Sequence, residues 1–249
     1  MARETVYGFH PVRELLRRGT RPVHDLLVAR SPKDAEVKDL LALARARGVP
    51  ARFVAKEDVE RRAPGGIHQG FAAETDEFPM LVVDEALAAF PPGPAGLWVG
   101  LDGITDPHNM GAILRSAAAF GAGALLVTER RSAQLTPLVQ KVASGAAEYV
   151  PVVDAGNMNQ AVRRLKEAGF WIYGAALEGK SLEVVRINGP CLLLIGSEGE
   201  GLRRRTRELS DELVAIPQAP DRVGSLNASC AAAVLLYEFS RRLAMGGKP

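Results

Sequence analysis

The apolar positions in the first part of the chain alternate between helical and strand-like spacing. Between His10 and Arg18 they recur along one face of a helix, and Pro11 suits the first helical turn. A second helix is predicted over 34–47, with Gly48 as its stop. Further apolar runs predict strands at 25–29, 51–55 and 70–74, and a short helix at 56–63. These elements predict a small α/β domain over residues 1–75.

A stretch rich in proline and glycine, FPPGPAG at 90–96, separates this part from the rest, and we assign residues 76–95 to a linker. Beyond it, helical segments alternate with short runs of consecutive apolar residues. Strands that are apolar on both faces are typical of a parallel sheet covered by helices on each side. We therefore predict an α/β domain with a parallel sheet over residues 96–249. Its strands are predicted at 97–102, 124–129, 149–153, 170–177, 191–196 and 213–217, and a long helix ends the chain.

The charge of the 249-residue chain is small and unevenly spread. Its net charge of +2 excludes a polybasic nucleic-acid coat protein. Residues 1–75 hold 14 Lys+Arg against 10 Asp+Glu, whereas residues 76–249 hold 17 against 19. The basic first part indicates either an anionic partner or a solvated basic surface, and composition leaves both open.

Several kinds of protein are disfavoured by features that the sequence lacks. No stretch is long and apolar enough to span a bilayer, and the first residues lack the apolar core of a signal peptide, so we expect a cytoplasmic protein without membrane contact. Cys191 and Cys230 lie in apolar runs and are predicted to be buried, which disfavours a disulfide or a metal site. The absence of G-x-x-x-x-G-K-[ST] and G-x-G-x-x-G disfavours ATP and nicotinamide cofactors.

Three loops after predicted strands carry polar residues, at 103–111, 196–201 and 218–224. Ligands of open α/β sheets bind beyond the carboxyl ends of the strands, so these loops are the candidate site. Asn109 and Arg115 in the first of these segments are six residues apart, about 240° on one helix, and converge only if Asn109 precedes or caps that helix. Asn109 can equally be a plain cap and Arg115 a surface charge. Glu198 and Ser225 have similar alternatives, as a solvated carboxylate and a cap of the last helix.

Together the three loops resemble the motifs of the SpoU (TrmH-like, SPOUT) family of RNA ribose 2'-O-methyltransferases. The family motifs are an N-x5-R stretch, a G-x-E-G-x-G loop, and an I-P segment that leads to S-L-N at a helix start. They stand here in the same order at 109–115, 196–201 and 216–227. Four further segments are similar to the bacterial 23S rRNA guanosine 2'-O-methyltransferase subgroup, so that the resemblance covers nearly the whole chain: YGFHPVRELLRR, GGIHQGFAAE, LDGITDPHNMGAILRSA and RSAQLTPLVQKVASGAAEYVPVV.

This resemblance implies a fold and a reaction that the apolar pattern does not give. It implies a parallel-sheet catalytic domain with a carboxy-terminal trefoil knot, preceded by an L30e-like RNA-binding domain, and a homodimer; general topology rules argue against a knot. The implied reaction transfers a methyl group from S-adenosylmethionine to a ribose 2'-hydroxyl, of a guanosine in 23S rRNA, without a metal. The alternatives are a tRNA or another rRNA site as substrate, or a non-catalytic rRNA-binding assembly factor.

The resemblance also assigns roles to individual residues. The implied catalytic residues are Arg115, Asn109, Glu198, Ser225 and Asn227. A guanidinium stays protonated in proteins, so we interpret Arg115 as a group that binds a phosphate beside the target ribose and stabilises the developing alkoxide. The residues expected to hold the methyl donor are Gly196, Ile216 and Leu226.

Basic residues of the first domain are expected to bind rRNA phosphates, or alternatively to keep its first helix soluble: Arg13, Arg17, Arg18 and Arg21.

One departure from the family pattern is the segment 219–224, which is about one residue longer than the usual G-x-V approach to S-L-N. It leaves Asp221 and Arg222 without a role taken from the family.

Overall fold

The structure, a computed structural model, describes residues 3–93, 96–128, 135–219 and 224–246. The strands are β1 (Arg3–Tyr7), β2 (Val23–Val28), β3 (Ala51–Phe53), β4 (Phe71–Asp76), β5 (Leu81–Val82), β6 (Leu97–Asp102), β7 (Ala124–Val127), β8 (Val152–Asp154), β9 (Trp171–Ser181), β10 (Cys191–Gly196) and β11 (Glu212–Ala215). The helices are α1 (Phe9–Arg18), α2 (Ala35–Ala46), α3 (Lys56–Arg62), α4 (Val83–Ala89), α5 (Pro107–Ala119), α6 (Pro137–Val142), a 3₁₀ helix (Ala146–Glu148), α7 (Met158–Glu167), α8 (Arg204–Leu209) and α9 (Ala228–Ala244).

The chain folds as two compact units. The first unit consists of Met1–Pro79 and Leu135–Tyr149, and the second of Met80–Gln134 and Val150–Pro249. In the described part of the chain, every helix is too short or too polar to cross a membrane.

The first unit contains a four-stranded mixed sheet in the order β1-β4-β2-β3. β4 pairs antiparallel with β1 and β2, and β3 pairs parallel with β2. Successive residues of β4 point to opposite faces, since Phe71 and Ala73 join a buried cluster with α1 and α2, whereas Ala72 joins a second cluster with Val59 of α3. Helices therefore cover both faces of this sheet. The helices predicted at 10–18 and 34–47 are confirmed as α1 and α2.

The second unit contains a seven-stranded parallel sheet in the order β11-β9-β10-β6-β7-β8-β5. Every residue of β6, β7 and β10 is buried, which confirms the prediction of a parallel sheet from continuous apolar runs. β6 and β10 are neighbours, and Asp102 lies opposite Gly196 at their carboxyl ends. The loops that follow these two strands therefore leave the sheet side by side.

Residues 76–95, predicted as a linker, contain both β5 and α4. β5 pairs with β8 at the edge of the large sheet. The Glu85 carboxylate accepts a hydrogen bond from the Val82 backbone N–H at 3.1 Å, which closes the first turn of α4, and Ala86 is fully buried. A strand of two residues has no hydrophobic periodicity, which is why the sequence pattern does not reveal it.

The segment 135–149, predicted within the second domain, belongs to the first unit, where two of its residues contact Arg21. The Arg21 guanidinium donates to Gln140 Oε1 at 2.8 Å, to Glu148 Oε1 at 3.2 Å and to the Asp76 carbonyl at 3.0 Å, and it also pairs with Glu4. Only 3% of the Arg21 side chain is exposed. This corrects the prediction that Arg21 binds rRNA phosphates, because its charge is enclosed and already paired within the unit.

Replacing Arg21 by alanine leaves the Glu148 carboxylate, also 3% exposed, without its cation. Removing one partner of a buried ion pair costs about 3–5 kcal/mol, so we expect a loss of this size in the free energy of unfolding, measured by urea denaturation. The matched control is Arg17→Ala, because Arg17 is 59% exposed and lies 3.8 Å from Glu14; it should cost less than about 1 kcal/mol. Equal losses in the two variants would contradict a structural role for the Arg21 pair.

Candidate functional site

A cavity of about 480 Å³ lies in the second unit, beside the carboxyl ends of β10 and β11 and the first turns of α9. Apolar side chains form part of its wall, among them Ile195, Ile216, Leu226 and Leu235. Its polar lining includes the carboxylates of Glu178, Glu198 and Glu200 and the guanidinium of Arg207. The cavity lining therefore combines apolar contact area with more negative than positive charges.

The glycine-rich loop after β10 folds back on itself as a tight turn. The Ser197 N–H donates to the Gly201 carbonyl at 3.1 Å, and the Gly201 N–H donates to the Ser197 carbonyl at 2.9 Å. A Cβ atom on Gly196 would lie 2.1 Å from the carbonyl carbon of Gly201 and 2.3 Å from the nitrogen of Leu202. Gly196 is thus required because the returning backbone occupies the place of a side chain.

Three polar side chains from three different segments of the chain meet in one hydrogen-bonded cluster. Asn109 Nδ2 donates to Glu198 Oε1 at 2.8 Å, and Asn227 Nδ2 donates to Asn109 Oδ1 at 3.0 Å and also to Glu198 Oε1. The three residues are far apart in sequence, at positions 109, 198 and 227. Two amides acting on one carboxylate fix its orientation, so Glu198 is not a freely solvated loop carboxylate although it is exposed.

Asn109 occupies the first turn of α5 rather than its cap. Asp106 is the N-cap and accepts the His108 N–H at 2.9 Å, and Pro107 takes the first helical position. Asn109 is buried, with 7% of the residue exposed. Arg115 lies six residues further along the same helix and is exposed, about 240° around the axis from Asn109. The two side chains therefore do not share a face of α5. The sequence analysis required Asn109 to precede or cap this helix for the two to converge, and Asn109 does neither.

The last helix begins at Asn227, which acts both as its cap and as a member of the cluster. Asn227 Oδ1 accepts the backbone N–H groups of Ser229 at 2.9 Å and Cys230 at 3.3 Å, while its amide faces Glu198. The cap is thus Asn227 and not Ser225, which is exposed and lines the cavity instead.

The prediction that Cys230 is buried is wrong. Cys230 lies in the first turn of α9, and its thiol is exposed to solvent.

The cavity brings together five of the residues predicted from the family motifs: Gly196, Glu198, Ile216, Ser225 and Leu226. Asn109 and Asn227 join them through the hydrogen bonds to Glu198. The longer approach predicted at 219–224 falls largely on residues 220–223, including Asp221 and Arg222, which lie outside the described residues. Sequence reasoning did not find Glu178 and Arg207, which pair with each other at the cavity.

Cys191 is the cysteine for which the prediction is confirmed. It is buried in β10, and this burial raises the pKa of its thiol to about 12, so that it remains protonated. Among the described residues there is no group of three or more His, Cys, Asp or Glu side chains that could hold a metal ion.

The basic residues predicted to bind rRNA have different environments in the first unit. Arg13 pairs with Asp39 at 2.6 Å and with Glu14 at 2.9 Å. Arg17 and Arg18 are exposed at the end of α1, and the Arg18 guanidinium lies 4.8 Å from the centre of the Tyr149 ring. Arg21 is buried, as described above. Arg17 and Arg18 are therefore the two of the four whose charges face solvent.

Comparison with known proteins identifies the family. The model of the SpoU rRNA Methylase family matches residues 96–237, and a model described as RNA 2'-O ribose methyltransferase substrate binding matches residues 5–81. The 23S rRNA (guanosine-2'-O-)-methyltransferase RlmB of Yersinia pestis is 39% identical over 240 residues, covering 96% of this chain and 97% of its own. RlmB of Escherichia coli strain K12 is 36% identical over 250 residues, with 96% and 98% covered.

The fold is shared with solved structures of the same family. The SpoU methyltransferase AviRb of Streptomyces viridochromogenes, crystallised with its cofactor AdoMet, is 28% identical and has a TM-score of 0.79, covering 98% of this chain and 92% of its own. This chain belongs to the SpoU rRNA methylase family. Its mixed α/β architecture with a parallel seven-stranded sheet is that of the SpoU methyltransferases.

The substitution Asn227→Asp separates the two roles of this side chain. A carboxylate can still cap α9, but it faces Glu198 without an N–H to donate. Two adjacent carboxylates repel while both are ionised, so the variant should be less stable than the wild-type protein at pH 7–8. As the pH falls below about 5, one of the two takes a proton and can donate again, and the thermal unfolding midpoints of variant and wild type should converge.

Asn157→Asp provides the matched control for that experiment. Asn157 caps α7 in the same way, accepting the Asn159 N–H at 3.0 Å and the Gln160 N–H at 3.3 Å. This variant should follow the wild-type midpoint across the pH range, because an acidic cap suits a helix amino terminus. A pH-independent loss in the Asn227→Asp protein would rule out a carboxylate pair at Glu198.

Gly196→Ala should cost about 1–3 kcal/mol of unfolding free energy, since its Cβ has to displace backbone atoms of the returning loop. Gly199→Ala is the control in the same loop, because a Cβ there meets no atom within 4 Å. Urea denaturation of both variants tests this difference. If they are equally stable, the close backbone approach at Gly196 does not exist in solution.

Proposed function

We propose that this chain transfers a methyl group from S-adenosylmethionine to the ribose 2'-hydroxyl of a guanosine in 23S rRNA. The observation that carries the proposal is the cluster of Asn109, Glu198 and Asn227, one residue from each family motif, at the edge of a ligand-sized cavity. Relatives that align with 96% of this chain are named for this activity, which supports rRNA as the substrate.

The cavity has the properties needed to hold the methyl donor. Its volume of about 480 Å³ lies within the range of about 300–1,000 Å³ for small-molecule sites. Ile216 and Leu226 would offer apolar contact to the donor, and Gly196 would contribute backbone atoms without a side chain to block them. The carboxylates of the lining favour a cationic ligand. When bound there, S-adenosylmethionine supplies a methyl group on a positively charged sulfur.

The chain itself positions the ribose and stabilises charge on its oxygen. The amides of Asn109 and Asn227 hold the Glu198 carboxylate at the cavity, and the Ser225 hydroxyl lines the same wall. Arg115 cannot accept the hydroxyl proton, because a guanidinium remains protonated. We assign it to the phosphate next to the target ribose, where its charge stabilises the oxygen as the hydroxyl proton passes to solvent water.

The folds of the two units belong to the same proposal. The second unit is a SPOUT domain with a carboxy-terminal trefoil knot, which is supported by the match of the SpoU rRNA Methylase family model to residues 96–237. The first unit is an L30e-like domain that binds rRNA, supported by the substrate-binding family model over 5–81. Arg17 and Arg18 are its proposed phosphate contacts. No metal takes part in the reaction.

The protein is proposed to act as a homodimer. Two large apolar side chains of α9 are exposed, Val234 at 42% and Tyr237 at 54%. The Tyr237 ring packs edge-on against Phe120 at the end of α5, with 5.7 Å between ring centres. Apolar surface of this kind is energetically costly in water, and a second copy of the chain would cover it.

The purified protein should introduce a 2'-O-methyl group at a guanosine of a 23S rRNA transcript in the presence of S-adenosylmethionine. Ribose-methylation mapping of the product locates it, and Arg115→Ala should lower the rate by about 100-fold or more. A tRNA pool serves as the competing substrate. Methylation of tRNA alone would contradict the rRNA assignment, and binding of rRNA without methylation of any RNA would favour a non-catalytic assembly factor.

A further inference from the structure

A run of three arginines, Arg203–Arg205, follows the glycine loop and has no role in the cluster described above. Leu202, the residue before the run, lines the cavity. Arg203 is the N-cap residue of α8, and Arg204 and Arg205 begin this helix. The run therefore starts at the cavity wall and continues onto the surface of the second unit.

Arg203 is fixed by a buried carboxylate at the end of β6. The Asp102 side chain has no exposed surface, and its Oδ2 accepts the Arg203 backbone N–H at 3.0 Å. Arg203 Nη1 lies 3.3 Å from Asp102 Oδ1, yet 36% of the arginine side chain remains exposed. A guanidinium already held in one orientation loses less conformational entropy when it binds an anion.

Arg204 and Arg205 are presented to solvent by a helix that is itself anchored. Thr206, which follows them, is buried, and its Oγ1 donates to Asn159 Oδ1 on α7 at 3.2 Å. The side chains of Arg204 and Arg205 are 91% and 61% exposed, and both lie 3.6 Å from the single carboxylate of Glu208. Exposed pairs of this kind contribute little stability, so both arginines can exchange Glu208 for a stronger anionic partner.

We propose that Arg203, Arg204 and Arg205 form a binding site for the phosphate backbone of the RNA strand whose ribose is methylated. This assignment rests on the proposed function, since it takes the substrate to be RNA. Guanidinium groups bind phosphate oxygens with two parallel hydrogen bonds. The three cations share two carboxylates, those of Asp102 and Glu208, so a net positive charge is left to attract an anion. The site holds the strand at the second unit, independently of Arg17 and Arg18 in the first.

The test is RNA binding by the full-length protein carrying Arg204→Gln and Arg205→Gln together. The probe is a fluorescent 23S rRNA transcript, with Kd measured from about 50 to about 200 mM salt. Each lost phosphate contact lowers the slope of log Kd against log salt by about 0.7–0.9. The slope of the double variant should therefore be smaller than that of the wild-type protein by about 1.4–1.8. Its Kd at the higher salt concentration should rise about tenfold, with the thermal unfolding midpoint and the Kd for S-adenosylmethionine unchanged.

Arg241→Gln is the matched control. Arg241 is an exposed arginine of α9, fourteen residues beyond Asn227 and so about 21 Å along the helix from the cluster. This variant should bind RNA with the wild-type slope. If the double variant does not differ from Arg241→Gln in Kd and slope, the proposed site is wrong.

Glu208→Gln gives a test with the opposite sign. Removing the shared carboxylate frees both arginines, so RNA binding should become about twofold tighter and its salt slope should not fall. Unchanged or weaker binding would overturn the proposal even if the double variant failed to fold. Binding is measured without methyl transfer, so a wild-type protein that binds rRNA through this site but does not methylate it would count against the proposed function alone.

Discussion

One carboxylate, that of Glu198, joins three stretches of the chain that are distant in sequence. Asn109 reaches it from the first turn of α5, and Asn227 reaches it from the cap of α9. This meeting depends on the parallel register of β6 and β10, because Asp102 opposite Gly196 places the two following loops at the same edge of the sheet. The cavity wall, the helix cap and the orientation of the carboxylate are therefore parts of a single arrangement.

The sequence predicts most of the large sheet because buried parallel strands leave a strong signal. The runs at 97–102 and 191–196 became β6 and β10 with the predicted bounds. Short or edge elements leave little signal, so β1 and β5 were not predicted. The motif residues can be found from the sequence because the family spaces them in a fixed order. The sequence does not predict which of them touch, because the relative positions of Asn109 and Arg115 depend on where α5 begins.

Arginine is the residue type for which the environment predicted from the sequence differs most from the one in the structure. A run of basic residues in α1 and just after it predicts a phosphate-binding face, yet Arg21 is enclosed by Glu4, Gln140 and Glu148. Two of these partners are more than a hundred residues away in sequence, so no local sequence pattern predicts that they contact Arg21. Arg203 differs from Arg21 because it pairs with a buried carboxylate, that of Asp102, while part of its side chain stays exposed to solvent.

The return of residues 135–149 to the first unit has a consequence for how this protein can be divided. A gene fragment that encodes only residues 80–249 would still carry α6 and the 3₁₀ helix, but not the arginine that Gln140 and Glu148 enclose. A fragment ending at residue 79 would expose that arginine and lack both of these partners. Neither half is a self-sufficient module, so shuffling such units between relatives requires three junctions instead of one.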